Sequence, residues 1–96
     1  MTMQRLPFPG RSRQIDVIFD DPEITDPLIS YGDLCWMLPA SFRNPIPPAR
    51  QVLRHRMVFV RASDLRAESV SDRHEPQVKD MLTDLLHTIT TQKDRP

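Results

Sequence analysis

Glycine is nearly missing from this chain: of 96 residues only two are glycine, Gly10 and Gly32. Neither stands in a phosphate-cradling loop or a Gly-x-Ser-x-Gly nucleophile turn, so those two routes to nucleotide and acyl chemistry are excluded. Cysteine is equally scarce. Cys35 stands alone, which rules out an intramolecular disulfide and points to a cytoplasmic protein. Its neighbours Leu34 and Trp36 suggest a small buried hydrophobe with a quiet thiol. No apolar run approaches the roughly 18 residues of a membrane span, and the N-terminus lacks the apolar core of a secretory signal. Net charge is also absent, with thirteen bases balancing thirteen acids.

That zero total hides strong segmentation. Residues 1–14 carry three arginines and no acid, residues 15–41 six acids and no base, and residues 43–74 seven arginines against three acids. The arginine-dominated middle either meets phosphate or an acidic partner, or neutralises the chain's own acidic third. Proline, at ten residues, is abundant and punctuates the chain. With 39% hydrophobic and 27% charged residues, the composition is that of a single small globular domain.

Local patterns give an α+β expectation: one domain over 15–90, a flexible arm at 1–14 and a flexible tail at 91–96. Ile15, Val17 and Phe19 alternate over a β-branched stretch and predict a strand at 15–19, ended by Asp20-Asp21-Pro22. Ser30 and Asp33 form a capping-box-like pair ahead of a short helix at 31–38, stopped by Pro39. Pro48 suits the first turn of a second helix at 48–55, with Val52 and Leu53 inward and Arg50, Gln51 and Arg54 outward. The run 57–62 is the clearest strand, and Ser63-Asp64 caps a further short helix. Val78, Met81, Leu82, Leu85, Leu86 and Ile89 line one face of a helix at 76–90. That stripe is expected to cover the sheet; a homodimer seam is its other use. The expected core combines Ile15, Val17, Phe19, Leu34, Trp36, Leu38, Val52, Leu53, Val58, Val60, Met81, Leu82, Leu85 and Ile89.

Chemistry-bearing constellations are few. His55, His74 and His87 are too widely separated to pre-organise a metal pair, so no metal or other cofactor is expected. Asp20, Asp21, Glu23 and Asp26 fall in one loop, where a solvated turn is favoured over Mg²⁺ coordination for a nuclease. No catalytic residue is assigned, and the protein is expected not to be an enzyme.

The order helix, connection, helix, strand, helix start, with Arg56-Met57-Val58-Phe59-Val60-Arg61-Ala62-Ser63-Asp64-Leu65 as the strand and its sequel, resembles small winged helix-turn-helix modules of the excisionase-like and MerR-like kind. The resemblance covers about thirty-five residues, with a longer and more proline-rich turn than is usual. It implies a DNA-binding regulator in which Arg50, Gln51 and Arg54 face the groove while Arg56 and Arg61 meet phosphates. The alternative is a protein-binding inhibitor or adaptor of the mobile-element type. It would engage a host protein through the acidic segment 16–33 (Asp20, Asp21, Glu23, Asp26) or through the C-terminal helix.

Overall fold

Alternation along Gln14–Ile18 produces a strand whose odd positions, Ile15 and Val17, are fully buried. In the computed structural model, which describes residues 3–7, 12–19, 26–39, 42 and 46–93, it is the second of five strands. These are β1 (Met3–Pro7), β2 (Gln14–Ile18), β3 (Leu28–Ser30), β4 (Val52–Arg54) and β5 (Met57–Arg61). They form one antiparallel sheet in the order β1-β2-β3-β5-β4. Three helices complete the α+β domain: α1 (Tyr31–Met37), α2 (Ala62–Ser69) and α3 (Pro76–Lys93).

The sheet's period of two sorts its side chains onto two faces. Ile15, Val17, Ile29 and Val60 join Leu34 of α1, Leu65 of α2 and Val78, Leu82, Leu85 and Ile89 of α3 in the main core. On the opposite face Ile18, Leu28, Val52 and Phe59 make a second, smaller cluster. The apolar stripe of α3 is therefore used within the chain, Val78, Leu82, Leu85, Leu86 and Ile89 all being buried.

Strand β3 passes directly into α1, and the capping pair expected there marks the junction. Ser30 Oγ accepts the Asp33 N–H at 3.3 Å, capping the helix. Asp33 Oδ2 in turn accepts the Asp16 N–H at 3.0 Å, completing the edge of β2 where β3 has ended. At the other end, Glu68 holds the α2–α3 connection. Its carboxylate meets His74 Nε2 at 3.3 Å and Arg73 Nη1 at 3.4 Å, and the His74 ring lies 5.3 Å from that of Phe42.

Several expectations are corrected. Residues 48–55 are not a helix: a single 3-10 turn at Pro48–Arg50 ends at Gln51, whose extended backbone (φ −79°, ψ 148°) leads into β4. Residues 3–7, assigned to a flexible arm, are the edge strand β1, registered against β2 from Met3↔Ile18 to Pro7↔Gln14. The last helix runs on to Lys93, past the expected start of the tail. Helix α2 begins at Ala62 behind Arg61, without the side-chain cap expected from Ser63-Asp64. Three expected core residues face water: Trp36 is 75% exposed, Leu53 66% and Val58 38%. Cys35, expected to be buried, is exposed.

The physical reason is geometric in each case. On α1, Leu34, Met37 and Leu38 share the face turned to the core, and Trp36, two residues from Leu34, falls on the far side. Leu53 and Val58 are register partners on the hairpin, on the face of Val60 but nearer the turn, where they remain exposed.

Candidate nucleic-acid interface and the Trp36 cleft

Strands β4 and β5 are joined by the two-residue turn His55-Arg56, both residues in the left-handed region at φ 52° and 62°. That pairing is the backbone of a type I′ hairpin, whose twist matches the strands but which favours Asn-Gly. Two non-glycine residues there cost roughly 1–2 kcal/mol each. The strained tip projects a histidine and an arginine into solvent.

The five candidate DNA-contacting residues all lie on this hairpin or at its root, though not as a helix would have placed them. Arg54 and Arg61 point to the same side of the sheet, flanking Val52 and Phe59, and Arg56 stands exposed at the tip. Arg54 Nη1 donates to the Leu53 carbonyl at 2.8 Å. Arg61 Nη1 donates, at a long 3.4 Å, to the carbonyl of Arg50, which ends the 3-10 turn. Arg50 Nη1 lies 3.6 Å from Asp64 Oδ1, an ion pair whose arginine side remains largely in water. Gln51 does not belong with them functionally: its Nε2 donates to the Ile46 carbonyl at 3.2 Å and braces the incoming chain.

Of the acidic candidates, Asp20, Asp21 and Glu23 lie outside the described residues. Asp26 is half-buried beside a hollow of about 190 Å³ that it shares with Arg66 and Thr90. Among the described residues no group of three or more His, Cys, Asp or Glu side chains could hold a metal ion, and no helix is long and apolar enough to cross a membrane.

A second site was not anticipated. Between the β1–β2 ribbon and the outer side of α1 lies a cleft of about 390 Å³. Arg5, Gln14 and Asp16 form its ribbon side, Asp33 and Trp36 its helix side, and Ser12 and Arg13 its end. The Arg13 guanidinium sits 5.0 Å from the Trp36 ring centroid, a cation–π contact. Arg5 Nε meets Asp16 Oδ1 at 3.1 Å while most of the arginine stays in water. Two signals could have exposed this site. Trp36 opposes Leu34 and Leu38 on a helical projection, and the acid-free N-terminal arginines needed a surface to serve.

On α1, partly buried Tyr31 and exposed Cys35 stand one turn apart, with the hydroxyl acting on the thiol. Partial burial pushes the Cys35 thiol above its ordinary 9.0, and the Tyr31 hydroxyl pulls in the opposite direction. Burial, followed by the neighbouring thiol, also raises the Tyr31 phenol. A thiol held protonated in this way is a poor nucleophile at neutral pH. No family model, curated protein or solved structure matches the chain.

Proposed function

We propose that the protein is a small non-enzymatic cytoplasmic regulator that binds DNA through the β4–β5 hairpin. The observation that carries this reading is the gathering of Arg54, Arg56 and Arg61 on one two-stranded ribbon with Arg50 at its root. Arg50 keeps its guanidinium largely in water beside Asp64, and Arg56 stands exposed at the tip. A β-ribbon is narrow enough for the major groove, and guanidinium forks match phosphate geometry. The strained His55-Arg56 turn supports it further, because a tip selected for stability alone would favour Asn-Gly.

The alternative of a protein-binding inhibitor acting through the acidic segment ranks lower. Asp16 is bound to Arg5, and Asp33 accepts a backbone N–H, so neither is a freely offered charge. A dimer seam on α3 has little apolar surface left to use.

Fluorescence anisotropy of a labelled duplex titrated with protein at several salt concentrations tests the proposal. Affinity should fall steeply with salt, and Arg56→Glu should weaken binding and lower the log–log salt slope by about 1. Equal affinity and an equal slope for the variant would rule the hairpin out.

A further inference from the structure

The largest aromatic side chain in the protein is left in water, and its surroundings say what it is for. Trp36, the only tryptophan, is three-quarters exposed on a helix whose Leu34 and Met37 are buried. Leaving it there forgoes on the order of 2 kcal/mol of burial free energy. The cation–π contact with exposed Arg13 returns only about 0.5–1 kcal/mol. Beside the indole opens the 390 Å³ cleft, and a second hollow of about 190 Å³ shares Ser12, Arg13, Trp36 and Met37 with it. The larger volume falls at the small end of the range for sites that enclose a compact organic group.

The charges select the group. Asp16 is already neutralised by Arg5 at 3.1 Å, and one oxygen of Asp33 is committed to the Asp16 N–H. An incoming cation would face two guanidiniums, with Asp16 already paired to Arg5 and one Asp33 oxygen taken by a backbone N–H. A planar group carrying an anion meets the opposite situation. The indole offers a stacking face, and Arg13 and the outer nitrogens of Arg5 can take the negative charge. The Gln14 amide and the second Asp33 oxygen remain for polar atoms on the ring edge.

We infer that the Trp36 cleft binds a nucleobase–phosphate unit, with the base stacked on Trp36 and its phosphate on Arg13 and Arg5. Stacking of this kind tolerates any base, since every base has a π face, and it requires that base to be unpaired. The inference builds on the nucleic-acid reading of the hairpin but uses different residues, so the two can fail separately. Gln14 and Arg5 of the cleft lie on the sheet face that also carries Arg54 and Arg61 of the hairpin.

Because Trp36 is the sole tryptophan, fluorescence excited at the red edge, where Tyr31 does not absorb, reports this cleft. The full chain is titrated with an oligothymidylate of about 15 nucleotides, long enough for one site. Thymidine monophosphate, a duplex and a polyglutamate peptide serve as comparison probes. The oligothymidylate should quench Trp36. In anisotropy with the labelled strand, Trp36→Ala should weaken binding about 5- to 100-fold and Trp36→Phe only a few-fold. Quenching by the monophosphate at similar concentrations assigns the cleft to free nucleotide, and quenching by the strand alone assigns it to single-stranded nucleic acid. Strand binding that is unquenched and indifferent to Trp36→Ala overturns the inference while leaving the hairpin reading intact. Equal quenching by polyglutamate overturns it in favour of an acidic protein. Loss of duplex binding in Arg56→Glu with Trp36 quenching unchanged would instead show the two sites acting independently.

Discussion

Helix α3 and the β4–β5 hairpin are opposites in how they treat apolar side chains. Every large aliphatic residue on the inner stripe of α3 is buried except Met81, which is partly so. On the hairpin the register pair Leu53 and Val58 is left in water, the turn is strained, and arginines stand at both ends. Helix α1 combines both behaviours, with Leu34 and Met37 buried and Trp36 and Cys35 outside. Where sequence and stability agree, the molecule is scaffold. Where apolar surface and backbone strain are left uncompensated, the cost needs another beneficiary, and binding is the natural one.

The sharpest way to break that contrast is to truncate one large side chain in each region. Leu82→Ala and Leu85→Ala remove fully buried side chains and should each cost about 2–5 kcal/mol, enough to unfold much of a domain of this size. Trp36→Ala removes a larger side chain but should shift the urea midpoint by less than about 1 kcal/mol equivalent, the worth of an exposed cation–π contact. If Trp36→Ala proved as damaging as Leu82→Ala, the indole would be structural and the cleft's open face illusory.

The β3–α1 junction lies between the two extremes. Asp33→Ala loses the acceptor for the Asp16 N–H, and Ser30→Ala loses the cap on the Asp33 N–H. Each should cost about 1 kcal/mol in chemical denaturation. Asp33→Ala should be the more costly, because it also leaves the strand-edge amide of Asp16 without its acceptor.

How much of this was legible follows the same division. Periodicity found α3 because six apolar residues recur at helical spacing, and it found the centres of β2 and β5 because β-branched residues alternate or cluster there. The Ser30/Asp33 pair located the start of α1. Three strands stayed hidden. β3 and β4 have three residues each, too short to show alternation, and β1 contains Pro7 and polar Gln4 and Arg5. Pro48 did start a helical turn, as its ring favours, but a 3-10 turn gave way at Gln51. The extended path from Gln51 is then secured by pairing of β4 with β5, a tertiary contact that no local signal encodes. The five arginine and glutamine candidates fall on or beside one hairpin, although residues 48–55 read as a helix and Arg61 as part of a strand. The cleft was missed because Trp36 was weighed by its size, which suggests burial, rather than by its helical phase.

The hairpin turn offers a test in which stability and binding should move in opposite directions. His55→Asn with Arg56→Gly installs the residues that a type I′ turn favours and should raise stability by about 1 kcal/mol or more in denaturant melts. The same change removes the exposed tip cation, so duplex affinity should fall and its salt slope should flatten. A variant both more stable and equally tight would mean that the strain at 55–56 serves no contact.

The smallest expected effect concerns α1's exposed side, where Cys35 is partly shielded. Its folded-state thiol lies above 9.0, so the folded state holds its proton more tightly than the unfolded chain does. The contribution to stability is therefore fully present below pH 9 and lost as pH rises through the folded value. Alkylation by iodoacetamide, which needs the thiolate, should accordingly show its midpoint above pH 9 in the folded protein and near 9 in urea. Tyr31→Phe removes the hydrogen bond that draws the thiol downward and should move the folded midpoint higher still. It also removes a phenol whose own titration is raised by the same burial, so the alkaline loss of stability should become simpler as well as smaller. A Tyr31→Phe midpoint below that of the parent would mean that the tyrosine shields the thiol from solvent more than it stabilises the thiolate. The outer face of α1 would then owe its quiet chemistry to packing, as α3 does, rather than to a polar contact made in partial exposure.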